Sequence, residues 1–335
     1  MLATYRYLRM AMVTVLALLA AAVILEILRP SEHANPNYRT DESVLTSISA
    51  YYWTGVGPVF IASLVALGVG MVILKPESEI EDLLLNLAGV LAPIVAFVPT
   101  VLPKLCDENG VCTKQPFPDS VTDSINNNMV ALAAAGVVAL GLFVGIARHH
   151  QTEDGPEPRE KDGKKKIWRV RALGLCLVGG AWAGLYVWYL VDDEDSSRFE
   201  DWAHLSAAIP LFVCIVLVVI INAGTKMFEN RQFRKWNSPE EADSVTAGVY
   251  AALAIIMVLS AAVAFFSRNA WDHSMMFVEV AVLVCFIVFW AFQTAELWNR
   301  GVRRVGDGPQ VWPFTLEQWR AASADEAGSP QSGPP

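Results

Sequence analysis

The sequence predicts an all-α fold, a polytopic transmembrane helix bundle of about eight spans with both termini in the cytoplasm. The 335-residue chain is 54% hydrophobic and 18% charged, whereas a soluble domain usually has about a quarter charged residues. Its charges gather in short blocks between long apolar runs. Lipid offers backbone polar groups no partner, so an apolar run of about 20 residues crosses a bilayer as a helix.

Eight apolar runs are long enough to be spans. They cover residues 7–28, 53–74, 83–102, 129–147, 170–191, 204–221, 245–266 and 275–298. The first has about 19 apolar residues, more than a secretory signal core of 7–15, and is therefore predicted to stay as an uncleaved helix. Residues 1–304 form the predicted bundle. Residues 305–335 form a predicted cytoplasmic tail, with a short interfacial helix around "TLEQ" followed by disorder.

Basic residues predict the orientation of the bundle. With eight spans, 19 of the 25 lysine and arginine residues lie on the side that holds both termini. Basic residues favour the cytoplasmic side, so we expect a multi-pass protein of the plasma (inner) membrane with cytoplasmic termini. The net charge of −9 gives no sign of a nucleic-acid partner. The lipid bilayer is the expected partner, together with a bound lipid or a companion membrane subunit.

A basic cluster adjoins the start of the fifth span. It contains Lys164, Lys165, Lys166, Arg169 and Arg171. Two interpretations remain open: the cluster contacts anionic lipid headgroups, or it serves only as a topological anchor.

Two cysteines lie in a loop that the topology places outside the cytoplasm. Cys106 and Cys112 flank the sequence "DENGV". Disulfides persist in oxidising compartments, so this pair is a candidate disulfide that closes a small loop. Three further cysteines lie singly within spans, and the sequence predicts no cofactor and no metal site.

Polar residues gather near the predicted outer ends of several spans. The phrase "SISAYYWT" precedes the second span, and the sequence predicts a helix from Asp41 to Trp53 that runs directly into that span. Ionisable groups within a membrane are costly and often mark function. The candidate pocket residues are Ser47, Ser49, Tyr51, Tyr52, Thr54, Thr100, His204 and Glu279. Two interpretations remain open: an outward-facing polar pocket, or an aromatic belt with a polar rim.

Several motifs resemble those of a family of bacterial multi-pass membrane proteins whose activity is not established. They are "SISAYYWT", "LLNLAGVLAPIVAFVPT", "AHLSAAIPLF" and "FVEVAVLVCFIVFWAFQ". That group lies loosely near the Frag1/DRAM-like families and the CREST group, which includes alkaline ceramidases. The resemblance implies a helical membrane protein and singles out the same eight pocket residues. The chain departs from the family pattern at Gly55, where the family has proline, and in the ending "FQTAELW".

Three functions follow from these observations. The sequence favours a non-catalytic membrane protein: a sensor, a lipid-binding protein or an accessory subunit with an outward-facing polar pocket. The first alternative is a proton- or cation-coupled secondary transporter that uses Glu279. The second is a CREST-like lipid hydrolase, which would need about three protein ligands for a metal. The chain has five histidines and no His-x-x-x-His pair, which disfavours the hydrolase.

Overall fold

The computed structural model describes residues 2–29, 44–76, 78–102, 105–106, 112–113, 116–153, 161–191, 198–236, 244–267, 270–271 and 273–296. Within these residues the chain is helical almost throughout. The α-helices are α1 (Leu2–Leu28), α2 (Gly57–Ile73), α3 (Glu79–Phe97), α4 (Asp119–Glu153), α5 (Lys161–Val191), α6 (Arg198–Trp236), α7 (Ser244–Ser267) and α8 (Ser274–Glu296). The predicted all-α fold class is confirmed.

Among the described residues, six helices are long and apolar enough to cross a membrane, which identifies a helical membrane protein. Their apolar parts are Thr4–Leu28, Glu79–Phe97, Asp119–Leu142, Arg198–Met227, Val245–Ser267 and Ser274–Glu296. Two further apolar helical segments, Gly57–Ile73 and Cys176–Val191, are shorter. Every predicted span therefore corresponds to a helix.

Six of the helices form a closed ring. In order around it, α1 packs on α2, α2 on α3, α3 on α6, α6 on α7, α7 on α8, and α8 on α1. The other two helices, α4 and α5, lie outside the ring against α3. The buried face of α1 consists of residues at spacings of three and four, as expected for one face of a helix. These residues are Arg9, Met12, Leu16, Leu19 and Val23.

Two glycines allow close packing of α2 on α3. A Cβ atom added at Gly68 would lie 2.7 Å from the carbonyl oxygen of Gly89, and one added at Gly89 would lie 2.6 Å from that of Gly68. Small residues let membrane helices approach closely, so that van der Waals contact stabilises the pair. This contact fixes one side of the ring.

The third helix begins and ends at local sequence signals. At its start, Ser78 Oγ accepts a hydrogen bond of 3.2 Å from the backbone N–H of Glu81, which makes Ser78 an N-cap residue. The helix ends at Phe97, five residues before the predicted end of the third span. The reason is Pro99, because a residue before proline avoids helical geometry. Val98 accordingly has extended backbone angles (φ −102°, ψ 105°).

The segment before α2 differs from its prediction. A helix was expected from Asp41 to Trp53, but residues 44–48 are not helical and Ser49–Trp53 form a short 3-10 helix. A break follows, and α2 begins only at Gly57. Residues 41–43, the start of the expected helix, lie outside the described residues. The 44–53 segment is held by contacts with other helices.

The basic cluster beside the fifth span is helical and not a loop. Lys164, Lys165, Lys166, Arg169 and Arg171 all lie in the first half of α5, which begins at Lys161. Lysine and arginine are good helix formers, so the helix continues beyond its apolar part. Their side chains lie outside the described part of the structure, and the lipid contact stays a prediction. The predicted tail, residues 305–335, lies outside it as well.

The predicted outer cysteines lie on a short antiparallel hairpin. Strand β1 (Leu105–Cys106) pairs with β2 (Cys112–Thr113), and Cys106 is directly opposite Cys112. Opposed residues in such a pair have Cα atoms about 4.5–5.5 Å apart, within the range of about 4.4–6.8 Å that a disulfide requires. The backbone register is therefore compatible with the predicted disulfide.

Candidate functional site

A buried carboxyl group lies in the second turn of α8, inside the ring. Glu279 is only 6% exposed. One of its oxygens, Oε2, accepts a hydrogen bond from the backbone N–H of Ile48, and the other, Oε1, lies 3.4 Å from the hydroxyl of Ser49. A carboxylate only accepts hydrogen bonds, so both groups act as donors to it. Glu279 thus holds the 44–53 segment against α8.

The start of α8 holds the same segment through its backbone. The first N–H groups of a helix have no partner within the helix. Here the N–H of Met276 donates to the carbonyl of Thr46 at 2.9 Å. One turn earlier, Nε2 of His273 lies 3.2 Å from the carbonyl of Val44. The carbonyl of Thr46 therefore takes the place of one missing helical partner at the start of α8.

The polar side chains of "SISAYYWT" mostly stabilise their own turn. Ser47 Oγ accepts from the N–H of Ala50 at 3.1 Å, and the Tyr51 hydroxyl accepts from the N–H of Leu45 at 3.3 Å. Thr54 Oγ1 donates to the carbonyl of Tyr51 at 2.9 Å. Burial raises the pKa of Tyr51 above its usual value, so its hydroxyl stays protonated. These bonds satisfy backbone groups in and just before the short 3-10 helix, where regular helical hydrogen bonds are few.

A second junction fixes the chain just after α3. His204, on α6, is 6% exposed, and its Nδ1 lies 2.7 Å from the carbonyl of Val98. A carbonyl only accepts, so Nδ1 carries the proton. On the other side of this loop, the indole Nε1 of Trp53 donates to the carbonyl of Thr100 at 2.9 Å. The loop created by Pro99 is therefore held by α6 and by the 3-10 turn.

A cavity of about 80 Å³ lies in the centre of the ring. Among the described residues that line it, Ser49 and Glu279 are polar and lie together at one end. The others are apolar and come from α1, α2, α3, α6, α8 and the turn: Leu16, Leu19, Ile48, Phe60, Leu64, Leu67, Met71, Ala92, Val95, Leu211, Phe212, Ile215, Val282, Leu283 and Phe286. The central cavity is thus apolar along its length and polar where the 44–53 segment meets α8.

The eight predicted pocket residues divide into three sets. Ser49 and Glu279 meet at the end of the central cavity. His204 and Thr100 take part in the junction after α3, where Thr100 contributes its backbone carbonyl. The remaining members form or flank the turn: Ser47, Tyr51, Tyr52 and Thr54. The cavity differs from the expected polar pocket because the hydroxyls of Ser47, Tyr51 and Thr54 bond to nearby backbone.

Sequence reasoning missed a polar layer at the opposite end of the ring, near the start of α1. Arg9 is 2% exposed, and its Nη1 donates to Oε1 of Gln293 on α8 at 2.7 Å. Gln293 Nε2 in turn donates to Oδ1 of Asn222 on α6 at 2.9 Å. Arg9 was counted only as a flanking basic residue. Its position three residues before Met12, on the apolar face of α1, was the available signal.

An ion pair lies beside this layer. Lys226 on α6 pairs with Glu296 on α8, and their side chains are 12% and 10% exposed. The Tyr250 hydroxyl on α7 donates to Oε2 of Glu296 at 2.8 Å. The sequence alone was consistent with Glu296 reaching the membrane interface, whereas the structure gives it two partners on neighbouring helices. Helices α6, α7 and α8 are therefore linked at this end of the ring.

Within the described ranges, no three histidine, cysteine, aspartate or glutamate side chains lie together as a metal site would require. The cysteines Cys176, Cys214 and Cys285 are free thiols. The described residues thus offer no set of three such ligands for the metal of the hydrolase alternative.

Comparison of the chain with models of protein families, with curated proteins and with solved structures finds no match. The resemblance to the Frag1/DRAM-like and CREST families therefore stays a prediction.

Proposed function

We propose that this protein is a non-catalytic, eight-span protein of the plasma membrane that binds the apolar chain end of an amphiphile in its central cavity. The observation that carries the proposal is the cavity itself. It is apolar, it lies at the centre of a closed ring of helices, and one end is closed by Ile48, Ser49 and Glu279. Ligand sites are typically concave and apolar with a few placed polar groups.

The size of the cavity limits what it accepts. Its volume of about 80 Å³ is roughly half that of a 150 Å³ apolar cavity, which binds a benzene ring. The cavity therefore suits the end of one acyl or isoprenyl chain and not a whole lipid. Away from Ser49 and Glu279 the apolar walls offer water no hydrogen-bond partner, so an apolar chain end gains contacts there without displacing bound water.

The helix packing supports eight spans, although α2 is short. Only residues 74–78 separate α2 from α3, and the two helices pack on each other. If α3 crosses the bilayer, α2 must return across nearly the same thickness beside it. Seventeen residues give about 26 Å of helix. In the fifth helix, the uncharged residues 172–191 give about 30 Å of helix, which matches the roughly 30 Å core.

Contacts at the Arg9 end of the ring support a location on one common side of the membrane for several basic residues. The Tyr5 hydroxyl, near the start of α1, donates to the carbonyl of Lys75 in the link between α2 and α3. We assign this side to the cytoplasm because basic residues favour it. A reporter active only outside the cytoplasm, fused after Thr113, tests the assignment. Activity there is expected, and an inactive fusion contradicts the proposed orientation.

The binding proposal is tested with a neutral probe, 1-dodecanol, and a matched pair of variants. Val282 lines the cavity and is 3% exposed, whereas Val284 is on the same helix and is 49% exposed. Val282→Phe fills part of the cavity, so we expect at least a tenfold loss of dodecanol affinity, measured by native mass spectrometry in nanodiscs. Val284→Phe should bind like the parent. Equal binding by both variants excludes the cavity as the site.

A secondary transporter is the second candidate function. The observation that favours it is the presence of polar groups at both ends of one ring interior, Glu279 at one end and Arg9 at the other, with an apolar section between them. Transporters place ion-binding groups inside the helix bundle. Proton flux into proteoliposomes tests this function. Flux that Glu279→Gln abolishes supports transport, and the absence of flux in the parent protein excludes proton coupling.

A further inference from the structure

The polar layer formed by Arg9, Gln293 and Asn222 contains a positive charge that its described neighbours do not balance. Arg9 is 2% exposed, and the guanidinium group remains protonated in proteins. A buried charge is costly unless it is paired and fully hydrogen-bonded. A buried arginine at the end of a membrane helix therefore needs a compensating group.

The described partners of Arg9 are neutral. Nη1 donates to Gln293 Oε1 and Nη2 donates to the Tyr5 hydroxyl. The guanidinium carbon lies 4.5 Å from the ring centroid of Tyr5 and 5.2 Å from that of Trp290. Aromatic faces attract a cation, but such a contact contributes about 0.5–2 kcal/mol. They reduce the cost of burial without neutralising the charge.

Glu296, the carboxylate of the neighbouring ion pair, is already occupied. It pairs with Lys226 and also accepts from the Tyr250 hydroxyl. Of the charges on these described residues, Lys226 and Glu296 cancel each other. The positive charge of Arg9 is left over.

Two buried donors on neighbouring side chains point to the kind of group that is missing. Nε of Arg9 and Nε1 of Trp290 are both buried and have no hydrogen-bond partner. They belong to side chains that are in contact, since the Arg9 guanidinium stands over the Trp290 ring. Both atoms can only donate, so the missing partner is an acceptor. Beside a fixed positive charge, an acceptor with a negative charge binds most strongly.

We propose that Arg9 and Trp290 form a binding site for an oxyanion, a carboxylate or phosphate group, at this end of the ring. One oxygen accepts from Arg9 Nε and a second accepts from Trp290 Nε1. Such a group occurs both as a free anion and in the headgroup of a lipid. The site is separate from the central cavity, and neither Arg9 nor Trp290 lines that cavity.

Two arms of one experiment distinguish the sources. In the first, the full-length protein in phosphatidylcholine nanodiscs is titrated with inorganic phosphate, with ionic strength held constant by sodium chloride, and the midpoint of thermal unfolding is measured. In the second, phosphatidylglycerol is added to the discs and the lipids retained by the protein are counted by native mass spectrometry. Stabilisation by phosphate alone indicates a free anion, and retained phosphatidylglycerol without a phosphate effect indicates a lipid headgroup. Either result supports the site.

Two variants test whether Arg9 binds the anion. Arg9→Gln removes the charge. It should lower, at least tenfold, the affinity for whichever anion, phosphate or phosphatidylglycerol, binds the parent protein. Lys75→Gln is the matched control, because the Lys75 side chain is 66% exposed at the same end of the ring, and it should bind like the parent. The site is refuted if neither anion acts on the parent, or if Arg9→Gln binds as well as the parent.

Trp290→Phe keeps the proposal testable if Arg9→Gln does not fold. Phenylalanine preserves an aromatic face for Arg9 but lacks the indole N–H, so we expect several-fold weaker anion binding by the folded variant. Parent-like anion affinity in this variant overturns the two-donor site. Binding of 1-dodecanol is unaffected by either outcome, because it depends on the cavity.

Discussion

Replacement of Glu279 by leucine should destabilise the ring, because the carboxylate holds the 44–53 segment. The N–H of Ile48 donates to it directly, and a buried donor that loses its acceptor costs about 1–3 kcal/mol. The Ser49 hydroxyl lies at 3.4 Å, close to the limit for a hydrogen bond, and adds less than about 1 kcal/mol. Leucine removes both acceptors and leaves the buried N–H of Ile48 unpaired. The expected loss is therefore about 1–4 kcal/mol.

Two companion variants separate the contribution of the Ile48 hydrogen bond from that of the Ser49 hydrogen bond. Glu279→Gln keeps one carbonyl oxygen, so it can still accept from Ile48, and we expect a loss of about 1–2 kcal/mol. Ser49→Ala should cost less than about 1 kcal/mol, because its hydrogen bond is long. The assay is the free energy of unfolding in mixed micelles as the fraction of sodium dodecyl sulfate rises. If Glu279→Leu unfolds with the free energy of the parent, the carboxylate does not hold this segment.

Three further predictions concern other contacts. Gly89→Ala places a Cβ 2.6 Å from the Gly68 carbonyl and should cost about 1–3 kcal/mol in the same assay; a parent-like value contradicts close helix packing. His204→Phe leaves the Val98 carbonyl without its donor and should cost about 1–3 kcal/mol, which an unchanged unfolding curve would disprove. Cys106 and Cys112 should resist alkylation until a reductant is added, and labelling of the untreated protein at these positions rules out the disulfide.

The helices were predictable because the membrane leaves the chain few choices. A long apolar run must satisfy its backbone internally, so each predicted span corresponds to a helix. Local signals also placed the start of α3, where Ser78 caps the N–H of Glu81. The predicted end of that span overran by five residues, because the effect of Pro99 on Val98 was not applied there.

The 44–53 segment was not predictable from its own sequence. Nothing in "SISAYYWT" forbids a helix, because it contains neither proline nor glycine. The structure instead uses distant partners, the N–H of Met276 and the carboxylate of Glu279, which lie more than two hundred residues later in the chain. Tertiary contacts of this kind override local propensity, and a single sequence does not reveal them.

The candidate site was predictable only in part. Glu279 could be identified because a carboxylate in the middle of an apolar run is costly, and the structure shows it buried inside the ring. Arg9 was overlooked because it lies close to the N-terminus, where a basic residue is usually a topological anchor. Its partner Gln293 is 284 positions away, so their contact depends on closure of the ring.

Photolabelling tests the central claim most directly. Dodecanol with a diazirine at the end of its chain is added to the protein in nanodiscs, illuminated, and the labelled residues are identified by mass spectrometry. If chain ends enter the central cavity, the label should fall on buried lining residues such as Phe60, Leu67 and Phe286. Label confined to exposed positions such as Val284 and Ile255 would show that the chain contacts only the outer surface, which contradicts binding inside the ring.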